Sequence, residues 1–336
     1  MFQKRYETVN ADLWQGRIDS LQDYDAFRWH QWLQPLDLRL PLPDYSGQTG
    51  FALLGFCCDE GIRRNRGRQG AALAPDSIRC ELANLPCAFS PAVKLFDAGN
   101  IGCPDADLLQ SQQALQQAVF RLRQAGLFPL LLGGGHEIAL GHYRGQADFL
   151  RQREGSCRLG IINFDAHFDL RPCEGGGNSG TMFRQIAAET ASCSELFRYF
   201  CLGVQRSSNT VALFNTAAQL GVEYVLAGEL TLQNDEVTIE KLDAFMQAMP
   251  QLYVTVCADV FASSFAPGVS APQPLGLQPE VVISYLKHIL RSRKVVGFDI
   301  AEVSPRFDHN RATASLAKVI VFAVVDTLCR LRGLAR

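Results

Sequence analysis

Seven apolar runs of strand length recur along this chain with helical windows between them, and that alternation restricts its possible folds more than any other feature. The runs are Phe51 to Phe56, Leu127 to Leu132, Leu159 to Phe164, Phe200 to Val204, Glu223 to Ala227, Leu252 to Cys257 and Lys294 to Asp299. Among the windows with helical spacing are Asp107 to Gln124, Ile239 to Gln247 and Pro279 to Ser292. Near-continuous apolar strands are buried on both faces, and strands separated by helices pair in parallel. The pattern predicts an α/β protein of three layers, α/β/α, around a mostly parallel central sheet. In open sheets of this kind, ligands bind beyond the carboxyl ends of the strands.

Four of those ends carry unusual chemistry. Leu130 to Leu132 runs into Gly133-Gly134-Gly135-His136-Glu137, and Ile161 to Phe164 into Asp165-Ala166-His167-Phe168-Asp169. Tyr253 to Val256 runs into Cys257-Ala258-Asp259, and Val295 to Phe298 into Asp299-Ile300-Ala301-Glu302. Asp165, His167 and Asp169 stand at two-residue spacing, which places them on one face if the strand geometry persists. Buried carboxylates are costly unless something cationic pairs with them. A metal ion is the economical partner; the competing reading is a solvated turn with helix-capping aspartates. Two histidines, three carboxylates and a thiol on one rim could hold two divalent ions about 3.5 to 4 Å apart, able to activate a shared hydroxide. The glycines before His136 could instead cradle a phosphate, but no Lys-Ser/Thr follows them. Cys257 reads equally well as a small buried hydrophobe.

Composition narrows the partner. The chain has 336 residues, 47% of them hydrophobic, and a net charge of −2, enough for one large core. Its thinly spread Lys and Arg offer no basic stripe for nucleic acid, and no run approaches the roughly 18 apolar residues of a membrane span. A small-molecule substrate is therefore expected, with neither nucleic acid nor membrane as partner. Eleven cysteines at irregular spacing without a C-x-x-C pair fit reduced thiols in a cytoplasmic protein. Residues 1–45, rich in Phe, Tyr and Trp, are expected to form an N-terminal helical extension packed on the main body. Residues 46–336 contain no linker or repeat and read as a single catalytic domain.

From about residue 50 onward these motifs resemble the ureohydrolase family, which includes arginase, agmatinase and formimidoylglutamase. The family's G-G-D-H-S motif appears as Gly133 to Glu137, D-A-H-x-D as Asp165 to Asp169, the last four positions of S-x-D-x-D as Val256 to Asp259, and D-x-x-E as Asp299 to Glu302. The resemblance implies an arginase-like fold, two Mn2+ per subunit and assembly as a homo-oligomer. It implies that His136, Asp165 and Asp169 ligate one ion, that Asp165, His167 and Asp259 ligate the other, and that Glu302 holds the amidine end of the substrate. Three positions depart from the pattern. Cys257 stands where the family has a metal-bridging aspartate, and Gly135 and Glu137 replace its Asp and Ser. The position of a histidine that can shuttle protons in arginase falls near Phe183, leaving Asp169 as the expected proton carrier and His309 as the alternative.

The segments around Trp14 to Asp19, Arg28 to Gln31, Asp59 to Asn65 and Ser179 to Gln185 look most like the formimidoylglutamase branch. That branch implies hydrolysis of N-formimino-L-glutamate to L-glutamate and formamide, in histidine degradation, by a metal-bridging hydroxide. Arg171, Arg184 and Arg206 follow motif segments, and arginine's planar fork suits the two carboxylates of this substrate. Alternatives are a guanidinobutyrase, arginase or agmatinase, or a catalytically decayed binding or assembly subunit.

Overall fold

The computed structural model describes residues 2–232 and 236–336. Among them, ten strands form a single sheet: β1 (Tyr6–Glu7), β2 (Gln34–Pro35), β3 (Gly50–Cys57), β4 (Lys94–Gly102), β5 (Phe128–Leu132), β6 (Leu159–Phe164), β7 (Tyr199–Val204), β8 (Glu223–Leu226), β9 (Gln251–Cys257) and β10 (Val295–Ala301). The order is β1-β4-β3-β5-β10-β9-β6-β7-β8, with β2 also on β4, and every pairing is parallel except β1 with β4. The predicted α/β fold with a mostly parallel sheet is what the chain adopts.

Helices cover both faces. They are α1 (Trp29–Trp32), α2 (Glu60–Arg64), α3 (Ala74–Leu82), α4 (Leu108–Gln124), α5 (Ile138–Glu154), α6 (Met182–Ser192), α7 (Val211–Gln219), α8 (Glu236–Ala248), α9 (Pro279–Arg291) and α10 (Ala312–Leu331). Alternate residues of each strand feed opposite layers. Ile162, Phe164, Val254, Val256, Phe298 and Ile300 pack with α3, α8, α9 and α10. Ile161, Cys201 and Tyr253 pack with α5, α6 and α7 on the other side. Helix α10 has the length and mean hydropathy of a membrane span, although Lys318, Asp326 and Arg330 interrupt its apolar run. Its Ala314, Ala317, Ile320, Val321, Val324 and Leu328 are nevertheless packed into the core beside α3 and α9.

The N-terminal segment differs from the helical extension expected of it. Only the single turn of α1 is α-helical; the rest is irregular chain broken by three-residue 3-10 turns and the short strands β1 and β2. Asn10 and Asp23 accept hydrogen bonds from the backbone two residues on, which favours a local turn over a continuing helix. Strand β4 had no clear apolar run because Asp97, Gly99 and Asn100 interrupt it. Buried Asp97 is matched by Arg79 at 2.7 and 2.8 Å and by the Trp14 indole at 2.8 Å.

Candidate active site

Two turns bolted to each other form the floor of the site. After β5, Gly133 and Gly134 have φ of 52° and 84°, and a Cβ at Gly134 would lie 2.5 Å from the Phe56 carbonyl oxygen, so glycine is required there. Gly133 N–H donates to Ile300 O at 2.7 Å, and Glu302 N–H to Gly134 O at 2.8 Å. The His136 N–H in turn donates to Glu302 Oε1 at 3.0 Å. The turns after β5 and β10 thus fix His136 and Glu302 against each other. Glu302 and Asp169 both sit at positive φ, 64° and 51°. Non-glycine residues there cost backbone energy, and these two are carboxylates aimed at one site.

The orientation of His136 carries the electrostatic argument. Thr255 Oγ1 donates its proton to Asp299 Oδ1 at 2.5 Å, so His136 Nε2, 3.0 Å from Thr255 Oγ1, must be the donor in that contact. Asp299 is held by Tyr253 Oη at 2.5 Å and His142 Nδ1 at 2.6 Å. With its Nε2 proton committed, neutral His136 presents the lone pair of Nδ1 to two carboxylates, Asp165 at 2.9 Å and Asp169 at 3.0 Å. Three electron-rich groups meeting in a buried place require a proton or a cation between them.

A second group adjoins the first. His167 Nδ1 lies 3.3 Å from Asp165 Oδ1 and 3.2 Å from Asp259 Oδ2. Donor atoms of His136, Asp165 and Cys257 all lie within 4.8 Å of one another, as do those of Asp165, His167 and Asp259. Asp165 belongs to both groups, which is what a carboxylate between two ions requires. His136 Nδ1 and Asp259 Oδ1 are buried atoms without a hydrogen-bond partner. Such orphans are rare in protein interiors, and a divalent cation satisfies both. The donor set fits divalent cations.

Protonation behaviour follows from the same crowding. Burial pulls His136 down, but Asp165 and Asp169 outweigh it and hold the imidazole well above its usual value; Asp259 and Asp165 do the same for His167. Burial and the Asp165 charge push Asp169 up to about 6. Burial, then Asp165, Asp259 and Glu302, push the Cys257 thiol up. Burial also raises Glu302, with Glu137 and Asp259 adding to it.

His136, His167, Asp169, Cys257, Asp259 and Glu302 line a cleft of about 310 Å3, with Asp165 fully buried beside them. Of the arginines singled out in the sequence, Arg171 lines this cleft. Arg184, on α6, and Arg206, which stacks on Phe214 at 6.0 Å, lie outside its lining. His309 lines a different cavity, and Phe183 is an apolar wall set edge-on to His136 at 5.7 Å. Asn65 and Ser179, which lay in quoted segments without an assigned role, and Arg66, which sequence reasoning missed, also line the cleft. The available signal was the basic Arg66-Gly67-Arg68 run just beyond the quoted Asp59 to Asn65 segment. Asn65 Nδ2 donates to Ser179 Oγ at 3.2 Å, and the Arg171 N–H to Gly180 O at 2.8 Å, so both sides of the mouth are tied together.

Comparison with known proteins agrees with this geometry. Residues 49–326 match the arginase family. The chain is 53% identical over 331 residues to a formimidoylglutamase of Clostridium tetani, covering 98% of each chain, and 42% identical over 324 residues to one of Legionella pneumophila, covering 96% of this chain and 98% of that one. Among solved structures, a Trypanosoma cruzi formiminoglutamase with Mn2+ is similar at a TM-score of 0.73 and 25% identity, over 84% of this chain and 94% of that one. The Bacillus subtilis formimidoylglutamase shares the fold at a TM-score of 0.77 and 24% identity, over 94% and 96%. The chain belongs to the arginase family.

Proposed function

We propose that this protein is a formimidoylglutamase, hydrolysing N-formimino-L-glutamate to L-glutamate and formamide. The observation that carries the reading is the single cleft in which a dense set of metal donors shares its lining with Arg66 and Arg171. The 53% identity to the Clostridium tetani enzyme over nearly the whole chain supports the same substrate. Arg66 and Arg171 repel a dication such as agmatine and attract a dicarboxylate, each able to bind a carboxylate in a bidentate fork.

Two divalent cations would be held by His136, Asp165 and Asp169 with Cys257, and by Asp165, His167 and Asp259. The second donor set is all oxygen and imidazole, which suits Mn2+. When bound, the ions lower the pKa of water so that it attacks at neutral pH. Glu302 pairs with the amidinium and orients its carbon toward the floor, while Arg66 and Arg171 fix the glutamate carboxylates. Water oxygen adds to the formimino carbon while Asp169 takes the proton that this water gives up, the bond from that carbon to the glutamate nitrogen breaks, and Asp169 returns the proton to the departing amine. We place this catalytic unit in residues 46–336 and the protein in the cytoplasm, where its eleven cysteines, all free, would stay reduced.

The test is formamide release from formiminoglutamate by purified, Mn2+-supplemented protein, alongside arginine, agmatine and guanidinobutyrate. Turnover confined to formiminoglutamate is expected. Preference for a guanidine substrate would reassign the specificity, and inertness toward all four would point to a subunit without catalysis.

A further inference from the structure

The two halves of the donor cluster differ in kind. Asp165, His167 and Asp259 offer carboxylate oxygen and imidazole nitrogen, whereas His136 and Asp165 share their half with the sulfur of Cys257. Cys257 is the last residue of β9, in register with Ala301 of β10, so the strand ladder fixes its Cα beside the turn that carries Glu302. It is 2% exposed and lines the cleft, so its sulfur faces the donors and not bulk water. The unpartnered Nδ1 of His136, a residue 1% exposed, belongs to the same half.

From this geometry we infer that Cys257 is a metal ligand and makes the His136 half of the centre thiophilic, favouring Co2+, Fe2+ or Zn2+ over Mn2+ there. The inference rests on the metal-centre reading above and adds to it an asymmetry between the two positions. Manganese is a hard ion that gains little from sulfur, whereas cobalt, iron and zinc bind thiolate strongly. Aspartate at position 257 would give both halves oxygen and nitrogen donors alone. Cysteine gives one half a ligand that discriminates among metals by softness in addition to size. The centre is thereby biased toward holding two different metals when both are present.

The ordinary order of divalent affinities already places cobalt above manganese at any site, so the measurement is a comparison between variants. Wild type, Cys257→Ser and Cys257→Asp are equilibrated with equal Mn2+ and Co2+, dialysed, and analysed by elemental mass spectrometry and absorption spectroscopy. The wild type is expected to retain cobalt with both ligand-field bands and a near-ultraviolet thiolate-to-cobalt charge-transfer band. Both variants are expected to lose that band, and the aspartate variant to shift its cobalt-to-manganese ratio toward manganese by about tenfold. Ligand-field bands without charge transfer in the wild type, together with equal metal ratios across the variants, would overturn the inference while leaving the metal centre intact. Failure of the wild type to retain either metal would overturn both. The serine variant, nearly isosteric, serves the spectroscopic test if the aspartate variant does not fold.

Discussion

The carboxylate of Glu137 occupies the space where a side chain at position 135 would begin: a Cβ built on Gly135 would lie 2.0 Å from Glu137 Oε2. Gly61 makes room on the other side, with a Cβ there 2.5 Å from the same carboxylate, and its N–H donates to Glu137 Oε1 at 2.7 Å. The two departures from the family motif are therefore sterically linked: with Glu137 placed as it is, only glycine fits at 135 without displacing its carboxylate.

That relationship predicts non-additivity. Gly135→Asp alone overpacks the turn and should destabilise the protein by about 1–3 kcal/mol. Adding Glu137→Ser vacates the space and should restore most of the loss. A double-mutant cycle by thermal unfolding checks this, and simple additivity of the two substitutions would show that the residues do not compete.

Thr255 orients His136 without lying among the proposed metal ligands. Thr255→Val should preserve the fold, since the side chain is nearly isosteric, but free His136 Nε2 from its partner at 3.0 Å. Metal affinity should fall by about 10- to 100-fold, as for other partners that orient a ligating histidine. Titration with Mn2+ followed by calorimetry reads the change directly.

Arg66 and Arg171 should act on substrate and not on metal. Arg66→Ala and Arg171→Ala are each expected to raise KM for formiminoglutamate by about tenfold or more, with metal content unchanged, because a hydrogen bond to a charged group contributes about 1.5–3 kcal/mol. Gly180→Ala should mimic Arg171→Ala in part, since a Cβ there would lie 2.9 Å from Arg171 Cδ. A KM unaffected by either arginine would remove that residue from the carboxylate site.

Glu60 gives a pH signature outside the metal cluster. It opens α2, the helix that delivers Asn65 and Arg66 to the cleft, and pairs with Arg63 at 2.6 Å and Arg64 at 2.8 Å. Arg63 chiefly, aided by Arg64 and opposed by burial, holds its carboxyl down to about 2 from an ordinary 4.5. A depressed acid stabilises the fold fully above the unfolded value and loses that contribution as pH falls from about 4.5 toward 2. After screening at the exposed arginines, Glu60→Gln should cost about 1 kcal/mol at pH 7. The gap between wild type and variant in denaturant melts should narrow as pH falls below about 4.5 and close near pH 2, and a gap independent of pH would contradict the pairing.

What the sequence disclosed depended on how locally each feature is encoded. The strands β5, β6 and β9 were legible because they are buried and apolar, and the proposed ligand residues because they lie at or just beyond the ends of those strands. Strand β4 was hidden because Asp97 is neutralised by Arg79, eighteen positions away, a pairing visible only after folding. The aromatic N-terminal segment looked helical by composition, yet the turns that Asn10 and Asp23 open run for only three residues each. Arg184 and Arg206 were chosen for nearness in sequence to the motifs, but a side chain's place on the rim depends on the direction its helix or loop gives it. Arg66 reaches the cleft from a turn with φ of 62°, a conformation that no spacing announces.

The most direct test of the account is a crystal of the metal-loaded protein with anomalous scattering recorded at the metal edge. Two ions are predicted, one beside His136, Asp165, Asp169 and Cys257 and the other beside Asp165, His167 and Asp259, with Asp165 touching both. A loaded crystal with no ion near these residues would contradict the proposal of a binuclear hydrolase.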